Sequence, residues 1–184
     1  MESQEPDRTE AAPASEQANA IPRVTKGFVA ALVVICILTE AVLTAADHGL
    51  VSTVRLRTLS YQYGGFWAGL LRGWTPNYAA QPWLMFLTHS FLHSGLSHLL
   101  GNMLALVLLT RHLGPRITGP SYLQLWALSV LGGALAFALL AQSPRPMVGT
   151  SGALFGLVGA LLARDLARRR ATRLPLWPDL LWVP

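Results

Sequence analysis

The stretch GFVAALVVICILTEAVLTAA, residues 27–46, is apolar throughout except for a few hydroxyls and one charge, Glu40. A helix over it reaches ~30 Å at 1.5 Å per residue, the thickness of a bilayer's hydrocarbon core. A carboxylate inside such a span is expected to face protein or to reach toward the nearer interface. Similar blocks follow. Residues 83–109 and 122–141 read as a second and a third span, and residues 148–163 as a fourth of about 24 Å, rich in Gly and Ala. A short helix of small residues fits where other helices surround it, because lipid then never has to match its length. The expected fold class is therefore all-α, a polytopic transmembrane helix bundle. It has four spans plus the start of a fifth at LPLWPDLLWVP (residues 174–184), where the sequence stops as the new span begins.

Composition agrees with a chain whose solvent is lipid. Hydrophobic residues make up 52% of the 184 and charged ones 12%, against roughly 25% charged in soluble domains. The net charge of +5 raises the question of nucleic acid, but the basic residues form no single face. They cluster between the apolar blocks, which suits a membrane surface. With the N-terminus inside, Arg8, Arg23, Lys26, Arg111, Arg116, Arg164, Arg168, Arg169, Arg170 and Arg173 lie inside, and Arg55, Arg57, Arg72 and Arg145 outside. That asymmetry predicts a cytoplasmic N-terminus. Cys36 is the single cysteine, so no disulfide framework or thiolate cluster is available, and it reads as a packing residue.

Residues 1–25 are rich in Glu, Pro, Ala, Ser and Gln without apolar periodicity, which predicts a disordered cytoplasmic tail ahead of a membrane domain over 26–184. Acidic residues stand where a signal peptide needs a positive region. Between the first two spans, RLRTLSYQYGGFWAGLLRGW (residues 55–74) alternates cations with aromatic rings. Such an element suits the headgroup layer better than base stacking on nucleic acid.

Polar residues then stand where they are costly. In THSFLHSGLSHLLGNM (residues 88–103), His89 and His93 are four apart, as are His98 and Asn102. Each pair would share one helix face, with the second pair turned by about 140° on an ideal helix. Gly95 between them marks either a helix start or a kink. The second polar set is Gly149-Thr150-Ser151-Gly152 at the head of the short fourth helix. Flanking glycines permit a tight backbone and a close approach by another chain, and N–H groups at a helix start can hold an oxyanion. Taken alone, Gly–Ser pairs in membrane helices are mostly packing devices. Three histidines are compatible with zinc or haem, although no carboxylate or cysteine lies near them in sequence to complete a ligand set.

The combination His93-x4-His98-x3-Asn102 followed by Gly149-x-Ser151-Gly152 resembles the rhomboid family of intramembrane serine proteases. Gln81-Pro82-Trp83 and Phe86-Leu87-Thr88-His89 resemble its bacterial members. The resemblance covers about residues 27–184. It implies a six-helix core with a short central helix bearing the serine, and cleavage of peptide bonds in or near transmembrane segments of membrane protein substrates. Carried over, it implies Ser151 as nucleophile, His98 and Asn102 as oxyanion donors with the Ser151 N–H, Gly149 and Gly152 shaping the turn, and His89 and His93 as supporting residues. It implies no cofactor, no metal and no nucleic-acid partner. The bias toward Ala, Arg and Pro suggests a bacterial inner membrane.

Two departures stand out. Leu113-Gly114-Pro115-Arg116 occupies a loop that often holds an acidic residue in the family. The family's base is a histidine in the sixth helix, whereas here His48, His89, His93, His98 and His112 all precede Ser151. Either the chain is C-terminally truncated, or it is a catalytically silent relative that binds membrane clients, or one of the upstream histidines is the base. Truncation is the expectation, because the visible motifs are intact.

Overall fold

A computed structural model describes residues 20–51, 53–141 and 143–173. Of the tail predicted for residues 1–25, residues 1–19 lie outside the described residues, as does the fifth span predicted at 174–184, whereas Arg23, Val24 and Thr25 already belong to the first helix. All regular elements described are helices: α1 Arg23–Asp47, α2 Leu56–Gly64, α3 Gln81–Thr88, α4 Leu96–Leu113, α5 Gly119–Leu140 and α6 Ser151–Ala171, with 3-10 turns at Ala68–Arg72, His89–Phe91 and Gly114–Arg116. Among the described residues no strand forms, and one isolated antiparallel bridge joins Phe66 to Met147.

Three segments are long and apolar enough to cross a membrane: Arg23–Asp47, Leu96–Arg116 and Gly119–Leu140. Between 28% and 33% of their apolar windows is buried inside the protein, so most of their side chains must face lipid. On α1 the buried set is Thr25, Val29, Leu32, Cys36, Glu40, Leu43 and Ala46, a three-and-four spacing that marks one face. Val34, Ile35, Leu38 and Val42 cover the lipid side. This is a multi-pass membrane bundle.

The sequence reading differs from the structure at two helices. The span expected over 83–109 is divided, with α3 ending at Thr88, the 3-10 turn following, and α4 starting only at Leu96. Gly95 stands at φ +124°, a backbone region closed to residues with a Cβ, so the helix must restart there. The fourth helix extends to Ala171 rather than stopping near 163, and its last turns carry Arg164, Asp165 and Arg168–Arg170. Its charge keeps it outside the set of apolar spans, although its N-terminal half is packed against α5.

One core joins the long helices: Val29 and Leu32 from α1, Leu106 and Leu113 from α4, Tyr122, Trp126 and Val130 from α5, and Ala153, Leu154 and Leu157 from α6. Buried hydroxyls inside it are paired, Tyr122 to Thr110 at 2.6 Å and Thr110 onward to the Leu106 carbonyl at 2.6 Å. Thr110 spends its proton on the carbonyl, so Tyr122 is the donor of the other bond. α5 and α6 meet through glycines, and a Cβ on Gly133 would lie 2.7 Å from the Gly152 Cα. Small residues at this crossing bring the backbones together, the packing available when no hydrophobic force drives helices together in lipid.

Candidate functional site

Ser151, half-buried, is the first residue of α6. The turn before it is held from two sides. The Gly149 N–H donates to the His89 carbonyl at 2.9 Å, and the Thr150 hydroxyl donates to the Ser90 carbonyl at 2.8 Å. Upstream, Phe66 and Met147 exchange N–H···O bonds at 3.0 and 2.9 Å. The 3-10 turn after α3 and the loop after α2 thus serve as anchors for the serine-bearing helix.

Gly149 has φ +111°, and its missing side chain is the centre of the arrangement. A Cβ there would lie 2.7 Å from His98 Cε1, 3.0 Å from His98 Nε2 and 3.2 Å from Asn102 Nδ2. Both the dihedral and the contact require glycine. His98 and Asn102 stand one turn apart on α4, so their side chains leave the same face and converge on this backbone.

The donor character of the pair follows from its other contacts. The Ser94 N–H points at His98 Nδ1 from 3.4 Å, and the Ser94 hydroxyl lies 2.9 Å from the same nitrogen. A backbone N–H only donates, so Nδ1 is the acceptor and the ring N–H is on Nε2, the nitrogen beside Gly149. Asn102 is buried, and its Nδ2 has no hydrogen-bond partner among the described residues. A buried donor left unpaired is uncommon and calls for an explanation. Two N–H donors therefore converge beside a helix start, whose first backbone N–H groups also lack intrahelical acceptors. Chemically, this arrangement can hold an anionic oxygen.

His93 lies in the turn before α4, fully buried, its ring edge-on to His98 with centroids 5.3 Å apart. Burial pushes its pKa down to about 4, so it packs as a neutral ring. Its carbonyl accepts from the Tyr61 hydroxyl at 2.6 Å and from Arg57 Nη1 at 3.0 Å. Arg57 in turn grips Glu40 with two parallel bonds, 2.9 and 3.0 Å, and Asp47 through Nε at 2.6 Å. The hydrogen bonds it donates to Glu40 raise the Arg57 pKa further above its ordinary value. Glu40 thus faces protein, buried completely in α1, with Thr44 donating to it at 3.1 Å. This network joins α1, α2 and the turn that leads into His98.

The residues expected at the site divide as follows. His98 and Asn102 come together at Gly149, two residues before Ser151. His89 contributes through its carbonyl, while its Nδ1–H donates to the Met85 carbonyl at 2.8 Å. His89 and His93 do not share a helix face as their spacing suggests, because the helix is broken between His89 and Leu96. Gly152 packs against Gly133 of α5, so the turn is shaped by Gly149 and Gly152 serves helix packing. Sequence reasoning missed Ser94, Thr150 and the Arg57–Glu40–Tyr61 network. The signal for the network was present as one carboxylate in an apolar span and a cation in the next loop. Beside Ser151 a groove of about 570 Å³ opens between α5 and α6, walled by Phe137, Leu140, Met147 and Phe155.

Comparison with known proteins agrees on the lineage. The family model for the Rhomboid domain matches residues 80–183. RHOMBOID-like protein 5 of Arabidopsis thaliana is 40% identical over 74 residues, which is 40% of this chain and 24% of that protein. RHOMBOID-like protein 1 of the same plant is 38% identical over 84 residues, 46% of this chain and 21% of that protein. The matched stretch is thus about a quarter or less of the curated relatives' length. No solved structure matches significantly.

Proposed function

The chain belongs to the rhomboid family, and from that premise we propose that it is an intramembrane serine endopeptidase cutting peptide bonds in or near transmembrane segments of membrane proteins. The observation that carries this reading is the seating of Gly149 against His98 Nε2 and Asn102 Nδ2, two residues before Ser151. Ser151 Oγ attacks the substrate carbonyl carbon as its proton passes to a base. The carbonyl oxygen becomes an oxyanion that accepts N–H groups from His98, Asn102 and the Ser151 backbone. Collapse of the tetrahedral species breaks the C–N bond, the leaving amine takes the proton, and water then releases the acyl group. His89, His93 and Gly152 support the site without touching the reacting atoms. The groove walled by Phe137 and Phe155 suits an apolar substrate segment entering from lipid. In this reading the N-terminus is cytoplasmic, the membrane domain runs over 26–184, and compositional bias supports a bacterial inner membrane.

A second reading rests on one specific observation: among the described residues, no histidine is hydrogen-bonded to the Ser151 hydroxyl. It is a catalytically silent protein that binds membrane clients. The two differ in a simple test. A fluorophosphonate probe should label the detergent-solubilised protein, extended by its in-frame coding sequence where one exists, and Ser151→Ala should abolish the labelling. Absence of labelling, with single-span proteins co-purifying equally with Ser151→Ala, would establish the silent reading and refute the peptidase.

A further inference from the structure

At the opposite end of the bundle from Gly95, a cleft of about 540 Å³ lies between the end of α4 and the last turns of α6. His112 and Arg116 form one wall and Arg164 and Arg168 the other, with Leu161 and Leu162 as its apolar part. Arg164 Nη1 donates to the Arg116 carbonyl at 3.3 Å, which ties the walls together. The one carboxylate in the cleft, Asp165, is taken by Arg169 at 2.6 Å. Among the described residues, Arg116, Arg164 and Arg168 have no carboxylate partner. Three guanidiniums around a cleft whose one described carboxylate is already engaged by Arg169 repel one another, an arrangement that favours an anion between them.

Depth decides what that anion is. The apolar span of α4 ends at Arg116, so the cleft lies where hydrocarbon gives way to headgroups, and its leucines continue into the hydrocarbon. Other cations ring the same level, with Lys26 and Arg111 lining a shared apolar groove between α1 and α4. We propose that this cleft binds the phosphate-bearing headgroup of an anionic phospholipid, with the phosphate oxygens on Arg116, Arg164 and Arg168 and an acyl chain leaving along Leu161 and Leu162. Guanidiniums suit this role because their paired N–H groups match phosphate oxygens, and basic clefts between helices at the membrane edge are known headgroup sites. The proposal is independent of any peptidase activity.

The purified chain in uncharged detergent is titrated with cardiolipin, phosphatidylglycerol or phosphatidylcholine, and native mass spectrometry reads the fraction carrying one lipid. Saturable binding of the anionic lipids, and only weak binding of phosphatidylcholine, is expected. Arg164→Gln with Arg168→Gln should weaken anionic-lipid binding roughly 30-fold, at about fivefold per cation. Arg164→Lys with Arg168→Lys should recover most of it, which guards against a variant that merely misfolds. Arg145→Gln, beyond the far end of α5, should leave it unchanged. Equal binding of all three lipids, or equal loss with Arg145→Gln, would overturn the proposal. So would displacement of the lipid by millimolar inorganic phosphate, which would make this a site for the free anion.

Discussion

Asn102 combines two roles that oppose each other. Its Nδ2 is buried beside Gly149 without an acceptor among the described residues, and leaving such a donor unpaired costs about 1–3 kcal/mol. The same donor, aimed at a developing oxyanion, is worth about 2.7–4 kcal/mol in the transition state. Asn102→Leu, with the same branched heavy-atom skeleton but apolar, should therefore leave the folded state as stable or up to ~1 kcal/mol more stable, by removing an unpaired buried N–H donor. In a chain that cleaves a membrane substrate, it should lower kcat by roughly 10²–10³-fold. Thermal unfolding in detergent and substrate turnover check the two halves separately. A variant that lost stability and activity together would reduce Asn102 to a packing residue. Ser94 acts through its neighbour, since its N–H and hydroxyl at His98 Nδ1 put the ring proton on the nitrogen near Gly149.

Among the elements, α2 is the one whose sequence says least about its purpose. Its residues alternate cationic and aromatic character as an interfacial segment would, and none of its side chains is fully buried. Its effect comes through Arg57 and Tyr61, which hold Glu40 of α1 and the His93 carbonyl ahead of α4. Glu40 is completely buried, so Arg57→Met would leave an uncompensated carboxylate, and removing one partner of a buried pair costs about 3–5 kcal/mol. Adding Glu40→Leu should return most of that stability, because a buried apolar pair needs no counter-ion. A double-mutant cycle by thermal unfolding reads both outcomes, and a double variant no better than Arg57→Met alone would show that the pair is not the source of the stability. The α5–α6 contact makes the complementary point about small residues, since Gly133 brings the serine helix against its neighbour where a Cβ on Gly133 would separate them.

At the scale of the molecule, cations divide unevenly between the two ends. Arg23 and Lys26 at the start of α1, Arg111 and Arg116 at the end of α4 and Arg164–Arg170 on α6 share one end, while Arg55, Arg57, Arg72 and Arg145 lie toward the other. Reporter fusions are expected to give a cytoplasmic signal ahead of residue 20 and an extracytoplasmic one within residues 74–79, and the reverse pattern would invert the proposed topology. The sequence by itself determined the membrane class and the limits of α1 and α5 to within a few residues, and it singled out His98, Asn102, Gly149 and Ser151 as the proposed site. Apolar runs of bilayer length and polar groups inside them are local signals, costly enough in lipid to be legible without coordinates. Only the tertiary structure decided the break at Gly95, the partner of Glu40, the role of Gly152 in packing α5, and the contact between Gly149 and the α4 side chains. Those depend on which helices lie side by side. Hydropathy carries no information on that, because every lipid-facing and every packed face in such a bundle is written in much the same apolar residues.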